Sequence, residues 1–177
     1  MSPAGEKPPT VYLKPGEMYF TGEAAEVVTV LGSCLAVTMF HRRRKLAGIC
    51  HGLLPTCNEP KDCHGECLAG FKYVDCSIKK MALLFDKHKV RRGEIEVKYF
   101  GGADMFSRPI ERRGLRSVGR QNIITAEQIL RSEGLKPQAM DVGGMAGRKI
   151  YFYTHTGDVL LKRLRQTESG RINRDGK

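Results

Sequence analysis

The apolar positions of this chain fall into short runs broken by turn residues. Val27–Leu31 is apolar and β-branched and reads as a buried strand. Gly32-Ser33 interrupts it, and Leu35–Phe40 and Leu46–Leu54 follow as two further strand-like runs. The charged stretch His41-Arg42-Arg43-Arg44-Lys45 between them predicts a β-hairpin. Val74, Ile78, Met81, Ala82 and Phe85 recur at helical spacing, and Ile123, Ala126, Ile129 and Leu130 do the same. Gly134 is a fitting stop for that second helix. Ile95, Val97 and Tyr99 alternate with Glu94, Glu96 and Lys98, the signature of a half-buried strand ending at Gly101-Gly102. Gln138–Val142, Ile150–Thr154 and Val159–Leu164 complete the set, the last two joined by a turn around His155–Asp158. Many strands with only two helices predict an α+β fold rather than a doubly wound sheet. The Pro- and Gly-rich residues 1–17 read as an irregular arm, 18–164 as one domain, and 165–177 as a mobile basic tail.

The hairpin places chemistry. If Phe40 opposes Lys45 across a four-residue loop, then Thr38 opposes Ala47, Ala36 opposes Ile49, and Cys34 opposes His51. Opposed residues share a sheet face, with Cβ atoms about 4.5–5.5 Å apart. An imidazole at that distance can take the proton of a thiol and make it a nucleophile. Gly32-Ser33, just before Cys34, can form a tight turn whose backbone N–H groups stabilise an oxyanion beside the sulfur. Cys50 adjoins His51 but points to the opposite face, so it reads as core.

Composition narrows the function classes. The 177 residues carry 30 Lys plus Arg against 19 Asp plus Glu, a formal net charge of +11. The basic residues cluster in Arg42–Lys45, Lys87–Arg92, Arg108–Arg120 and the tail after Lys162. A nucleic-acid surface usually interleaves such clusters with stacking aromatics. Here Trp is absent and the basic runs hold no aromatics, so they read as solvated loops and nucleic acid is not expected as a partner. No apolar run approaches the ~18 residues of a membrane span, and the start shows no secretory pattern. A cytoplasmic chain without membrane insertion is expected. The six cysteines are then poor candidates for a disulfide framework. Cys57, Cys63, His64 and Cys67 lie close together and are the candidate metal ligands, but their spacings do not make two Cys-x2-Cys knuckles. No metal or other cofactor is expected.

The segment Thr29-Val-Leu-Gly-Ser-Cys34-Leu-Ala-Val resembles the nucleophile motif of the CheD chemoreceptor glutamine deamidases, and Ala47-Gly-Ile-Cys-His51-Gly-Leu-Leu-Pro55 resembles the segment carrying that family's catalytic histidine. The likeness continues in order through Lys72–Asp75, Lys98–Ala103, Gly119–Ile123, Asp141–Gly144, Gly147–Ile150 and Thr156-Gly157, over about residues 18–164. The resemblance implies a β-sandwich-like mixed sheet core flanked by two main helices, related to the deamidases of the cytotoxic necrotizing factor type. It implies Cys34 as nucleophile, His51 as general base and Thr29 as the residue orienting His51, with the backbone around Ser33 and Leu35 holding the oxyanion. Many members have two adjacent threonines where this chain has Val28-Thr29. The implied reaction is hydrolysis of receptor glutamine side chains to glutamate through a thioester, with release of ammonia. The implied partners are the cytoplasmic helices of chemoreceptors and a CheC-type phosphatase. Two other readings use the same residues differently: an adaptor of the adaptation system, or a zinc- or nucleic-acid-binding protein built on the Cys/His loop and basic clusters.

Overall fold

In a computed structural model, which describes residues 7–58, 70–104 and 117–164, the chain forms two sheets and two helices. The strands are β1 (Thr10–Tyr12), β2 (Met18–Thr21), β3 (Glu26–Leu31), β4 (Leu35–His41), β5 (Leu46–Gly52), β6 (Glu96–Gly101), β7 (Pro137–Val142), β8 (Arg148–Tyr153) and β9 (Val159–Arg163). The helices are α1 (Val74–Lys87) and α2 (Val118–Ser132). One sheet has the order β1-β3-β8-β9 and the other β2-β5-β4-β6-β7. Both are mixed, with β1–β3 and β6–β7 parallel. The α+β expectation holds.

Two apolar layers explain the burial pattern. Val27, Leu31, Ile150 and Phe152 of the four-stranded sheet pack on Ala36, Phe40, Ala47, Ile49 and Phe100 of the five-stranded sheet. The other face of the five-stranded sheet packs Val37, Met39, Cys50, Val97 and Tyr99 against Ile78, Met81 and Phe85 of α1 and Ile123, Ala126 and Leu130 of α2. β4 and β5 are therefore covered on both faces, and all seven residues of each are buried. β8, covered on one face, alternates instead. Both helices lie on the same side, so the order is sheet, sheet, helices. Cys50 is in the helix-side core, as its position beside His51 requires.

The structure departs from the sequence reading in two places that matter for the site. Residues 10–12, expected within an irregular arm, form the edge strand β1, and Met18–Thr21 adds β2 in the opposite sheet. The chain thus crosses from one sheet to the other between residues 13 and 17. The hairpin register also differs. His41 pairs with Leu46, Phe40 with Ala47 and Ala36 with His51. The strand runs one residue further than expected because His41 stays in the ladder, where its Nδ1 accepts the N–H of Arg44 and the turn closes through Lys45 at a positive φ of 54°. The four-residue loop is Arg42–Lys45. The expected tail, residues 165–177, lies outside the described residues.

Candidate active site

His51 sits at the end of β5 and is 1% exposed. Ala36, not Cys34, is its directly opposed partner. Cys34 lies two residues before Ala36, ahead of the first residue of β4. The register correction shifts the partner by two, and a shift of two preserves the face. Cys34 packs against the inter-sheet layer, and His51 points into that layer to reach β3 of the other sheet. Thiol and imidazole therefore occupy the same layer, in a diagonal rather than a direct cross-strand relation.

Three contacts from the crossing segment hold His51. Gly16 N–H donates to the His51 carbonyl at 2.8 Å, and His51 N–H donates to the Glu17 carbonyl at 3.0 Å. The third runs through Thr29. Its hydroxyl lies 2.8 Å from the Leu13 carbonyl and 2.7 Å from His51 Nδ1. A carbonyl can only accept, so the single hydroxyl proton goes to Leu13 and the oxygen accepts from Nδ1–H. That accounting puts the ring proton on Nδ1 and leaves Nε2 as a lone-pair acceptor. Nε2 is buried and has no hydrogen-bond partner among the described residues. A cleft of about 370 Å³ reaches His51 and Thr29 where β1 ends, walled by Leu13, Lys14, Pro15 and Lys149.

Burial pushes the His51 imidazole down to about 4, with the negative charge of Glu17 pulling it back upward. Burial likewise raises the Cys34 thiol, opposed by its own backbone N–H.

The carbonyls of the turn before β4 are bracketed by donors from two elements. Ala103 N–H donates to Gly32 O at 2.8 Å, Gly102 N–H donates to Cys34 O at 2.8 Å, and Asn122 Nδ2 donates to Ser33 O at 2.9 Å. A planar trans peptide sets each N–H opposite the preceding carbonyl. Ser33 N–H therefore points away from Ala103, and Cys34 N–H points away from Asn122. Leu35, expected beside Ser33 as an oxyanion donor, is already in the β4–β5 ladder in register with Gly52. Its N–H is turned toward β5 by the same rule. The bracket depends on close approach: a Cβ on Gly101 would lie 2.2 Å from the Cys34 carbonyl oxygen.

The remaining candidates lie elsewhere. Cys63, His64 and Cys67 fall outside the described residues. Cys57 N–H approaches the Asp75 carboxylate at the start of α1. Among the described residues no group of His, Cys, Asp and Glu is arranged to hold a metal ion. Arg43 and Arg44 of the hairpin tip meet Lys89 and Arg91 around a separate polar cleft, at the end of β4 remote from Cys34. No described helix is long and apolar enough to cross a membrane. Asn122 was not singled out from the sequence; its signals were a polar residue at a core position of an amphipathic helix and its place in the Gly119–Ile123 segment.

Fold and site together define a class: an α+β sandwich that holds a cysteine thiol and a histidine imidazole in one buried layer. Residues 53–163 match the family model described as CheD chemotactic sensory transduction. Over 163 residues the chain is 48% identical to the probable chemoreceptor glutamine deamidase CheD 2 of Geobacter sulfurreducens, covering 92% of this chain and 95% of the relative. It is 40% identical over 158 residues to the probable chemoreceptor glutamine deamidase CheD of Maridesulfovibrio salexigens, covering 87% and 91%. The chain belongs to the CheD family.

Proposed function

We propose that this protein hydrolyses glutamine side chains of chemoreceptors to glutamate, with Cys34 as nucleophile, His51 as general base and Thr29 as the residue that orients His51. The observation that carries this reading is the buried imidazole whose Nδ1 is tied to Thr29 while Nε2 is left unpartnered in the layer shared with Cys34. Membership of a family whose relatives are named chemoreceptor glutamine deamidases supports the substrate class.

Proton transfer accompanies attack. Cys34 Sγ bonds to the carboxamide carbon as His51 Nε2 takes the thiol proton, and the carbonyl π pair moves to oxygen. The N–H groups of Ser33 and Cys34 receive that oxyanion. The carbon–nitrogen bond then breaks, His51 returns the proton to the leaving nitrogen, and ammonia departs, leaving a thioester. Water adds to the thioester carbon as His51 takes its proton. The tetrahedral adduct expels Cys34, which recovers the proton. The balance is glutamine plus water to glutamate plus ammonia. The thread from Leu13 through Thr29 to Nδ1 keeps the ring oriented in both halves.

Mass spectrometry of receptor cytoplasmic peptides tests this directly. Incubation with the protein converts specific glutamines to glutamates, and Cys34→Ala and His51→Ala, both folded, do not. A folded Cys34→Ala protein with full activity refutes the nucleophile. Competition between the receptor peptide and a CheC-type phosphatase tests whether such a partner regulates the same site.

A further inference from the structure

Asn122 lies in α2, the helix whose core stripe also carries Ile123, Ala126 and Leu130. It is 0% exposed. Asparagine is a poor helix former and an expensive residue to bury without partners. Its two Nδ2 protons both go outside the helix, to the Ser33 carbonyl at 2.9 Å and the Leu53 carbonyl at 3.0 Å. Both partners are carbonyl oxygens, which only accept. The amide is therefore fixed in one orientation, with nitrogen toward the two carbonyls and Oδ1 on the other side. Oδ1 is buried and unpartnered among the described residues. An apolar side chain there would leave two carbonyls without a partner, and Asn122 serves both even though its own Oδ1 is unpaired.

The two acceptors explain the choice. Ser33 precedes Cys34, and Leu53 lies two residues after His51. A single amide group thus clips the turn that carries the thiol to the segment that carries the imidazole. It also holds the Ser33 carbonyl, which belongs to the same peptide as the Cys34 N–H. We propose that Asn122 is a positioning residue that sets the Cys34 thiol and the Cys34 amide relative to His51.

The inference rests on the deamidase reading for its kinetic consequence but not for its geometric one, so the test has two arms. Alkylation of Cys34 by iodoacetamide, followed by mass spectrometry of the Cys34 peptide, reads the thiol–imidazole pair without any receptor. Asn122→Asp keeps the shape of the side chain and removes both donors at neutral pH. It should slow Cys34 alkylation to the rate of His51→Ala and add little to the loss when combined with His51→Ala. In the deamidation assay it should lower kcat on the order of 10²-fold, the scale of a 1 Å misplacement, with KM little changed.

Wild-type alkylation by folded Asn122→Asp overturns the proposal, as does an equal further loss in the His51→Ala background. Should both Asn122→Asp and Asn122→Ala fail to fold, hydrogen exchange in the wild-type protein decides. Both Asn122 side-chain amide protons should exchange slowly, and fast exchange of either overturns the clip. If His51→Ala leaves Cys34 alkylation unchanged, the thiol–imidazole pair itself falls, and the role of Asn122 with it. If alkylation behaves as expected and receptor peptides are not deamidated, only the substrate reading falls.

Discussion

Thr29 on β3 and His51 on β5 meet across the two sheets, Oγ1 to Nδ1 at 2.7 Å, and this one contact fixes which ring nitrogen carries the proton. The hydroxyl is itself fixed by the Leu13 carbonyl, so the tautomer of His51 is set by a segment that crosses between the sheets.

Removal of that hydroxyl is the first test. Thr29→Val keeps the β-branched shape but leaves Nδ1–H and the Leu13 carbonyl unpaired, at a cost of about 1–3 kcal/mol in stability. Loss of ring orientation should lower kcat by roughly 10²-fold. Thr29→Ser restores the hydroxyl and should recover most of the activity. Denaturant melts and steady-state rates of the two variants check both effects, and equal activities would remove Thr29 from the site.

The depressed imidazole makes a pH prediction. A general base must be unprotonated, so activity should rise with pH through His51's folded value of about 4, not through the ordinary 6.5. The groups facing the ring are Thr29, the Glu17 charge, and Lys14 and Lys149 at the cleft, with Cys34 in the same inter-sheet layer. An acidic limb centred near 6.5 in the kcat/KM profile would show that the imidazole is not desolvated.

The same shift links to stability. Between pH 6.5 and about 4 the unfolded chain binds a proton at His51 that the folded chain refuses. Stability therefore falls as pH drops through that window, and is fully kept above 6.5. The contribution of this one group is on the order of 3 kcal/mol. The difference in unfolding free energy between wild type and His51→Gln, measured at pH 7 and pH 4.5, should change by a substantial part of that amount.

Gly101 carries the close approach that the Cys34 turn requires. Its φ is 114°, and an added Cβ would meet the Cys34 carbonyl oxygen, which Gly102 N–H binds. Gly101→Ala should displace the turn and abolish Cys34-dependent activity, beyond the ~0.5–1 kcal/mol scale on which glycine and alanine ordinarily differ. Activity assays and the alkylation rate of Cys34 read the displacement, and a wild-type rate in both would sink the bracket.

Arg148 and Asp141 join the sheets at the opposite end of the inter-sheet layer from the hairpin tip. Arg148 Nε donates to Asp141 Oδ1 at 2.7 Å, and its other nitrogens donate to the Ala146 and Gly143 carbonyls. Burial alone would raise the Asp141 carboxyl, but hydrogen bonds from Arg163 and Arg148 outweigh it and hold it below its ordinary value. Arg148→Ala strips a nearly buried charge network of one member and should destabilise by about 3–5 kcal/mol, read as a lower denaturation midpoint. A change within ~0.5 kcal/mol would class the pair with exposed ion pairs.

Periodicity along the chain determined the two helices, seven of the nine strands and the hairpin that carries the pair. It also determined that Cys34 and His51 share a face while Cys50 takes the other, because side-chain direction in a strand depends only on parity. Parity survived because β4 runs on through His41 and the register moves by two residues, which keeps every side chain on its face. The resemblance of the motifs around Cys34 and His51 determined the family.

Tertiary structure decided the rest. β1 and β2 are three and four residues long and carry no local periodicity, and they become strands only because longer neighbours supply their hydrogen bonds. Thr29 hydrogen-bonds a partner 22 positions away, and Asn122 partners 89 and 69 positions away. Such contacts leave no mark in a window of sequence, because a hydrogen bond requires two groups at one point in space and the chain path alone brings them there.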